Sequence, residues 1–389
     1  MQTPRVALLV ETSLGYGRRF LRGVNRYARL HGPWGFYITP ADLRQVLPRM
    51  AEWGGTGIIA RLETPQLAKA VLATGLPTIA LDLTYRQQAA GSRLARAHEV
   101  RPDSLAAGKL AAEHLLDRGI RSFAFVGLSN DLPWSVERGR GFAARLAAGG
   151  LGCPEFPLPR RAADREWGRE QAILAAWLAT LPRPLGLLAC DDDRARQVCE
   201  ACHVAGLAVP DDVAVVGVDN DDLLCELADP PLTSVALDSE TAGWEAAALL
   251  DRLMRGERLP PQRILVPPTG VIVRRSSDVR ATDDPVVRRA VRFIADKAAL
   301  PIRVADVAAA AGSKRRSLEL RFQAALGRSI VAEIQKARLD RARRLLAESE
   351  LSVERIAAAS GFSSSGYLIR LFKRETGLSP GAFRDRLRR

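Results

Sequence analysis

The sequence predicts two consecutive portions of different fold class. Residues 1–276 form a two-lobed α/β portion and residues 286–389 an all-α portion with two helix-turn-helix units, joined by a linker at 277–285. Three observations support this division. Apolar runs alternate with helix-patterned segments as far as Arg275, and two later segments nearly repeat each other. Residues 285–389 hold 23 Lys+Arg against 10 Asp+Glu, a net +13 that equals the charge of the whole chain, so the preceding residues are neutral in sum.

The α/β portion opens in the order strand, loop, helix. An apolar run from Val6 is followed by a polar turn and then by apolar residues at helical spacing, among them Phe20 and Val24. The pattern recurs and predicts strands at 56–61, 77–82, 122–128, 185–190 and 213–219, and two more, RILVPP and GVIVRR, within 263–275. It predicts helices from 65 onwards and at 104–118, 137–148, 165–181, 194–205 and 241–255. Buried strands that alternate with amphipathic helices form parallel sheets, and the portion is long enough for two lobes.

Polar residues follow the carboxyl ends of the predicted strands, which is where parallel α/β sheets bind ligands. They are Glu11, Thr12, Asp82, Asp191, Asp192, Asp219 and Asn220. Carboxylates accept directional hydrogen bonds from hydroxyl groups, so a cleft with several of them suits a sugar. The alternative is that each aspartate only caps the helix that follows it. As a set, these residues favour the sugar-binding cleft.

Two segments of the all-α portion share one pattern. VADVAAAAGSKRRSLELRF begins at Val304 and VERIAAASGFSSSGYLIRLF at Val353, with one residue inserted in the turn of the second copy. In each copy a short helix stops at a glycine, Gly312 or Gly361, and a second helix follows. This predicts helix-turn-helix units at about 302–326 and 351–376, although either copy alone also fits an ordinary helical hairpin. Two copies in a basic portion favour binding to double-stranded DNA.

Two segments of the α/β portion resemble the sugar-sensing core of the lactose-repressor family. They read RPDSLAAGKLAAEHLLDRGIRSFAFVGL and VVGVDNDDLLCELADPPLTSVALDSETAGWEAAALL. The resemblance implies the type I fold of periplasmic sugar-binding proteins, and it places Asp82, Arg138, Asp191 and Asp219 among the effector contacts. That family carries its DNA-binding headpiece before this core, and we expect none before Pro4.

The all-α portion resembles the AraC family of regulators. The resemblance rests on the second copy with its closing KRETGLSPGAFR, and on the helix AEIQKARLDRARRLLAES between the copies. A lactose-repressor-like core followed by an AraC-type domain resembles the bacterial xylose-operon regulators, as do QRILVPP and VIVRRSSD at the junction. The resemblance implies a sugar-responsive activator of genes for pentose use, with D-xylose or a related sugar as effector.

The candidate sugar contacts come from two sources, the polar residues at the strand ends and the resemblance to the lactose-repressor family. They are Glu11, Tyr16, Asp82, Trp134, Arg138, Asp191, Asp192 and Asp219. An aromatic ring, that of Tyr16 or Trp134, would stack on the apolar face of the sugar, although both also fit ordinary core positions.

The resemblance to the AraC family also gives candidate DNA contacts. They are Arg315, Arg316 and Glu319 in the first copy, and Ser364, Ser365 and Arg370 in the second. The first copy departs from the family, because Lys314 stands where an N-cap Ser or Thr is usual and Leu320 where a polar side chain is usual. This leaves two alternatives for its recognition helix, contact with a thymine methyl group or with the DNA backbone only.

No motif indicates catalysis, a cofactor or a metal ion. The spacing Cys199-Glu-Ala-Cys202-His203 is that of a c-type haem site, but it lies inside a predicted helix whose apolar face uses Cys202. We find no paired base and nucleophile. The chain enters a strand-like run at Arg5 and has no apolar run near the ~18 residues of a membrane span, so we expect a cytoplasmic protein with reduced cysteines.

We therefore expect a homodimer that binds promoter DNA and a sugar effector and acts with RNA polymerase. Two alternatives remain open at this point. One is a sugar-binding protein without a regulatory role, and the other is a sugar-processing enzyme.

Overall fold

The computed structural model describes residues 3–38, 47–159, 161, 166–278, 284–349 and 351–387. The chain divides into two compact units, Met1–Val279 and Arg280–Arg389. Residues 279–283 of the predicted linker and residue 165, the predicted start of a helix, lie outside the described residues. At the edges of the linker, Ser277 is buried in the first unit and Asp284 caps the first helix of the second.

The described strands of the first unit form two sheets. In chain order they are β1 (Arg5–Leu9), β2 (Gly35–Ile38), β3 (Gly57–Arg61), β4 (Thr78–Leu81), β5 (His98–Pro102), β6 (Ser122–Val126), β7 (Leu185–Ala189), β8 (Val213–Asp219), β9 (Thr233–Leu237), β10 (Arg263–Val266) and β11 (Pro268–Ile272). The first-lobe sheet has the order β10-β5-β4-β3-β1-β2 and the second-lobe sheet β11-β9-β8-β7-β6. All neighbours run parallel except β9 and β11.

Helices cover both sheets of the first unit. They are α1 (Gly15–His31), α2 (Met50–Trp53), α3 (Pro65–Ala73), α4 (Tyr85–Gln88), α5 (Ser104–Leu116), α6 (Pro133–Ala147), α7 (Trp167–Ala179), α8 (Asp192–Val204), α9 (Asp222–Leu227) and α10 (Ser239–Met254). Successive side chains of a strand point to opposite faces of the sheet. In β1, Leu8 accordingly packs with Phe20 of α1, and Leu9 packs with Leu67 of α3. The chain crosses between the lobes after β5, β9 and β10.

Each lobe contains a helix pair that approaches through glycines. In the first lobe, a Cβ on Gly23 of α1 would lie 1.9 Å from the Glu240 carbonyl oxygen, and one on Gly243 of α10 would lie 2.0 Å from the Phe20 carbonyl oxygen. In the second lobe, a Cβ on Gly108 of α5 would lie 2.1 Å from the carbonyl oxygen of Arg138 in α6. Only a residue without Cβ permits such contacts, so these helix pairs are held at short distance.

The C-terminal segment of the first unit is fixed to α5. The side chain of His114 lies 2.7 Å from the Ser277 hydroxyl oxygen (Nε2 to Oγ), and Arg118 Nε donates to the Ser277 carbonyl oxygen at 2.7 Å. The Ser277 hydroxyl donates in turn to Thr233 Oγ1 at 2.8 Å. Because Ser277 and Thr233 are fully buried, this network attaches the segment firmly to the second lobe.

The prediction of alternating strands and helices is confirmed, with differences at particular ends. Helix α6 begins at Pro133 rather than 137, because proline is favoured in the first turn of a helix. Helix α8 begins at Asp192 rather than 194, with Asp191 as its N-cap. Strand β11 is antiparallel to β9, so the second-lobe sheet is mixed rather than wholly parallel.

The second unit consists of helices. They are α11 (Pro285–Lys297), α12 (Val304–Ala310), α13 (Arg315–Leu326), α14 (Ile330–Glu348), α15 (Val353–Ala359), α16 (Ser365–Thr376) and α17 (Pro380–Leu387). Helix α14 contributes to two separate cores: its Ile334 packs with Phe322 of α13, and its Leu346 with Phe372 of α16. Each core therefore holds one of the two repeated segments.

The described residues contain five free cysteines, Cys153, Cys190, Cys199, Cys202 and Cys225. Burial raises the pKa of the Cys202 thiol to about 12 and raises that of the Cys225 thiol further above its usual value, so these thiols stay protonated and poorly reactive. No helix in the described part of the chain is both long enough and apolar enough to span a bilayer.

Candidate functional site

A cleft lies where the carboxyl ends of the two sheets meet. It measures about 510 Å³, counting the part that is open to solvent. Its lining comes from both lobes: Val10, Glu11, Leu14, Tyr16, Gly17, Arg61, Asp82, Pro102, Trp134, Arg138, Asp191 and Asp219. This size and this mixture of apolar walls with a few polar groups are typical of small-molecule sites.

The structure brings seven of the eight predicted sugar contacts to this cleft, with Asp192 as the exception. Asp192 is buried behind the lining, where its Oδ2 accepts a hydrogen bond from the Asp221 backbone N–H at 2.7 Å. The carboxylate therefore supports the segment after β8 instead of facing the cleft. Burial raises the pKa of Asp192 to about 8, and the nearby Asp219 adds to the rise.

Two arginine–carboxylate pairs line the cleft, one in each lobe. Arg61 Nη2 lies 2.5 Å from Asp82 Oδ2 in the first lobe, and Arg138 Nη2 lies 2.7 Å from Asp219 Oδ1 in the second. Sequence reasoning missed Arg61, because it considered mainly acidic groups at the strand ends. The signal was present, since Arg61 ends β3 just as Asp82 follows β4 in the same sheet.

Three buried polar atoms of the cleft residues have no hydrogen-bond partner within the described structure. They are the Tyr16 hydroxyl, Asp82 Oδ1 and Arg138 Nε. One is an acceptor, one a donor, and the hydroxyl can do either. Buried polar groups without partners are rare, and each one requires an explanation. Six further atoms of this kind lie elsewhere in the described residues, whereas these three line one cleft, which is consistent with a site that a polar ligand completes.

The electrostatics of the cleft set the roles of these groups. Burial raises the pKa of Tyr16 well above its usual value and the Asp82 carboxylate adds to this, so the hydroxyl keeps its proton. Burial disfavours the charge of Arg138, yet Asp219 and the hydrogen bond to it raise the Arg138 pKa overall. Burial also raises the pKa of Asp191 to about 6, against the stabilising Arg194 backbone N–H.

Backbone strain is concentrated at the same place. Among the described residues, the non-glycine residues with positive φ are Asp82 (49°), Asp219 (103°) and Asn220 (50°). Residues other than glycine rarely adopt positive φ angles, because the Cβ atom clashes with the backbone. Strain of this kind is found preferentially at functional sites. Two of the three residues are cleft carboxylates, each in a pair with arginine.

The two explanations of the strand-end aspartates both apply to Asp191, whereas Asp82 and Asp219 fit only the cleft. Asp191 caps α8 through a 2.7 Å hydrogen bond from the Arg194 N–H and also lines the cleft. Helix α4 is capped by Thr84 and α9 by Asp221. Asp82 and Asp219 therefore do not serve as the caps of these helices, and the capping alternative does not account for their positions.

The N-terminus of α1 faces the cleft and is bound from the other lobe. Its N-cap, Leu14, has no side-chain acceptor, and the Asp221 carboxylate accepts the Gly15 N–H instead. Arg19 of α1 donates to the Asn220 carbonyl oxygen at 3.0 Å, and it also donates to the Asp219 carbonyl oxygen. These contacts join the lobes directly beside Asp219, so the described conformation has a closed cleft.

The two candidate aromatic residues occupy different environments. Tyr16 is only 7% exposed and belongs to the main apolar core. Trp134 is partly buried at the start of α6, and the Arg138 guanidinium carbon lies 5.1 Å from its ring centroid. Each of the two residues therefore packs against the main apolar core and also lines the cleft.

The second unit contains the two predicted helix-turn-helix units, α12–α13 and α15–α16. Their turns contain Gly312 (φ +65°) and Gly361 (φ +81°), as the sequence pattern required. Arginines stabilise the first helix of each unit at its C-terminus. Arg289 Nη2 donates to the Ala311 carbonyl oxygen at 2.9 Å, and Arg341 Nε donates to the Ala359 carbonyl oxygen at 2.8 Å.

The predicted DNA contacts lie at the start and on the outer face of α13 and α16. All are exposed except Ser365, which is half-buried. Arg315 and Glu319 bind each other, with Nε to Oε1 at 2.9 Å. Ser364 caps α16 by accepting the Tyr367 N–H at 3.2 Å, whereas Lys314 provides no cap for α13.

Three family models match the sequence in order. The XylR N-terminal domain matches residues 5–95, the periplasmic binding protein-like domain residues 112–277, and the helix-turn-helix domain residues 307–386. These matches confirm the predicted fold class for both units.

Relatives of full length exist. The xylose operon regulatory protein of Escherichia coli strain K12 is 33% identical over 384 residues, which cover 98% of this chain and 97% of the relative. The protein of that name from Haemophilus influenzae is 29% identical over 387 residues, or 98% of each chain.

Solved structures agree. The structure of the xylose-binding transcription activator xylR has a TM-score of 0.84 and 32% identity, and covers 99% of this chain and 98% of that one. A complex of the transcriptional regulator CelR with cellobiose has a TM-score of 0.55 and 22% identity over 71% of this chain and 85% of its own, a likeness of fold alone.

Proposed function

This chain belongs to the family of xylose operon regulatory proteins, and on that basis we propose which sugar it senses and how its two units divide the task. It is a sugar-responsive transcription regulator that binds DNA through helix-turn-helix units. The proposed effector is D-xylose or a closely related sugar, and the proposed result is activation of genes for pentose use. Residues 1–276 are the proposed sensor, 277–285 the linker and 286–389 the DNA reader.

The observation that carries the proposal is the set of unpaired polar atoms in the cleft. Asp82 Oδ1 accepts, Arg138 Nε donates and the Tyr16 hydroxyl does either. A sugar hydroxyl both donates and accepts, so one small ligand can satisfy all three groups. Each buried group without a partner costs about 1–3 kcal/mol, and a ligand that satisfies it recovers part of that free energy as affinity.

The proposed binding mode uses both lobes at once. Asp82 and Arg61 bind hydroxyls from the first lobe, and Arg138 with Asp219 from the second, while the Trp134 ring packs on the apolar face of the sugar. A ligand that contacts both lobes stabilises the closed cleft relative to an open one. This difference in affinity supplies the free energy of the response.

In the proposed output, two chains associate as a homodimer and place their readers on promoter DNA beside RNA polymerase. Within each reader, α13 and α16 enter the major groove about one helical turn apart. The net +13 of residues 285–389 supplies the attraction to phosphates. Sugar binding in the sensor favours the arrangement of the dimer that fits the operator.

The relatives named above are transcription regulators, and we propose that this protein releases its sugar unchanged. Two of the cleft carboxylates, Asp82 and Asp219, are paired with arginines, which leaves them suited to hold hydroxyls. Incubation of purified protein with D-xylose, followed by chromatography of the sugar, should recover only D-xylose. Formation of any product at a rate proportional to protein concentration would contradict this part.

The central test is a footprint of the promoter region beside a pentose-use gene cluster, with and without candidate sugars. We expect protection that strengthens with D-xylose and responds less to glucose. The variant Arg370→Ala should weaken the footprint with and without sugar, because an exposed arginine of α16 is lost from the DNA surface. An unchanged footprint in this variant would contradict the DNA assignment.

The sugar assignment is tested with Asp219→Asn. Asparagine also tolerates positive φ, so the substitution removes the charge without adding backbone strain. We expect the D-xylose affinity to fall at least about tenfold, as for the loss of a hydrogen bond to a charged group. The control is Asp193→Asn on α8, which pairs with Arg196 at the surface and should bind D-xylose normally. Equal affinity of both variants would refute the assignment of the cleft.

A further inference from the structure

Two large apolar side chains are exposed on the recognition helices. In the described part of the second unit the strongly exposed apolar side chains are Leu300 (53%), Leu320 (68%), Val331 (49%) and Ile369 (39%). Leu320 lies on α13 and Ile369 on α16, the second helices of the two helix-turn-helix units. An aliphatic side chain on the DNA-binding surface is exposed to water in the free protein. Covering it with DNA removes apolar area from water and stabilises the complex.

Leu320 points away from the protein core. Helix α13 buries Leu318 and Phe322, which lie two residues before and two residues after Leu320. Because each residue turns a helix by about 100°, Leu320 lies on the opposite side of α13 from both. Ile369 follows the buried Leu368 and lies at the flank of the outer face of α16, which agrees with its lower exposure.

The two recognition helices carry the same two kinds of side chain in exchanged order. An offset of 50 residues relates Leu320 to Arg370 and Glu319 to Ile369. Each helix therefore presents one apolar and one charged side chain at neighbouring positions. The two helices therefore present different side chains at corresponding positions.

We propose that Leu320 and Ile369 each pack against the methyl group of a thymine in the major groove, one in each part of the operator. The inference rests on the proposed placement of α13 and α16 in the groove. In the major groove the thymine methyl is the apolar feature that distinguishes bases, and apolar side chains recognise it by contact. For the first helix this decides between thymine contact and backbone contact alone.

Leu320 gives α13 an apolar base contact beside its charged candidates, Arg315 and Arg316. Arg315 is bound to Glu319 through the 2.9 Å pair, so that pair must break before Arg315 can reach a guanine. In α16, no ion pair holds Arg370 among the described residues, so its guanidinium can reach a guanine directly. Ile369 beside it would add contact with a thymine methyl group.

The test replaces thymines by deoxyuridine, which lacks only the methyl group. Each thymine of the protected operator is replaced singly, and the dissociation constant of the full-length protein is measured by fluorescence anisotropy. We expect two sensitive regions, one for each helix, where a replacement weakens binding about fourfold, the ratio that corresponds to about 0.8 kcal/mol for one buried methyl group.

The assignment to residues comes from combining base and protein changes. Leu320→Ala should lose the sensitivity of one region and keep the other, and Ile369→Ala should show the reverse, because each pair loses one shared contact. Val331→Ala, which shortens an exposed side chain on α14, should keep both regions sensitive. Alanine favours helix at these exposed positions, and circular dichroism would confirm that the variants fold.

Two outcomes would overturn the inference. One is a uridine scan without sensitive positions on an operator that the wild-type protein still footprints. The other is an unchanged pattern in Leu320→Ala and Ile369→Ala. Both leave the proposed function intact, whereas the absence of any sequence-specific footprint would count against that function and hence against both proposals.

Discussion

Replacing Tyr16 by phenylalanine separates the role of its hydroxyl from that of its ring. The ring packs in the main core of the sensor, and the hydroxyl is buried without a protein partner. Phenylalanine keeps the packing and removes only the hydroxyl. The structure therefore predicts effects of opposite sign, with unchanged or higher stability without sugar and lower affinity for sugar.

The size of both effects follows from the cost of an unpaired buried group. A hydroxyl buried without a hydrogen bond costs about 1–3 kcal/mol, so its removal raises the free energy of unfolding by up to that amount when water does not satisfy it. In the complex the hydroxyl has a partner in the sugar, and its loss should weaken D-xylose binding by about 0.5–1.5 kcal/mol, roughly 2-fold to 13-fold.

The assay combines urea unfolding of the sugar-free protein with calorimetric titration of D-xylose. Tyr27→Phe is the matched control on the same helix, because the Tyr27 hydroxyl donates to Asp251 Oδ2 at 3.0 Å and lies outside the cleft. The control should lose about 1–3 kcal/mol of stability and keep its sugar affinity. A destabilised Tyr16→Phe with normal affinity would refute the reasoning, since the hydroxyl would then serve the fold and not the ligand.

Two further predictions concern the sensor alone. Gly243→Ala should lower the free energy of unfolding by at least about 1–3 kcal/mol, because its Cβ would lie 2.0 Å from the Phe20 carbonyl oxygen. The control is Gly168→Ala, whose Cβ would have no neighbouring atom within 4 Å. In thermal melts the control should unfold at the wild-type temperature or above it. Burial lowers the pKa of His114 from 6.5 to about 4, so the unfolded chain binds the proton first and stability is lost as the pH falls between these values. Urea unfolding at pH 7 and pH 5 should show a smaller loss in His114→Gln than in the wild type, and an equal loss would contradict the role of His114.

The sequence was most informative where one rule governs many residues. Apolar runs predicted the strands, and the carboxyl-end rule placed Asp82, Asp191 and Asp219 in one cleft before any geometry was known. The glycine in each repeat correctly indicated positive φ at Gly312 and Gly361. These features depend on local sequence or on topology, both of which a sequence carries directly.

What the sequence did not reveal depends on contacts between distant segments. Whether Asp192 faces the cleft or supports it is decided by the Asp221 backbone, 29 residues away. Arg61 can be assigned to the cleft only because it pairs with Asp82, which follows the neighbouring strand β4. Similarly, the pairing of Arg315 with Glu319 depends on which rotamers the side chains adopt, and spacing alone does not decide this.

Helix α5 connects the sugar site mechanically to the end of the sensor. Its N-cap, Asp103, directly follows the cleft residue Pro102, and its other end holds Ser277 through His114 and Arg118. Its 13 residues form a rigid rod of about 20 Å. A tilt of about 5° at the cleft end would carry the far end through nearly 2 Å, as with a lever arm. In the proposed response to sugar, α5 would turn a small tilt at the cleft into a larger displacement at the last described residues of the sensor.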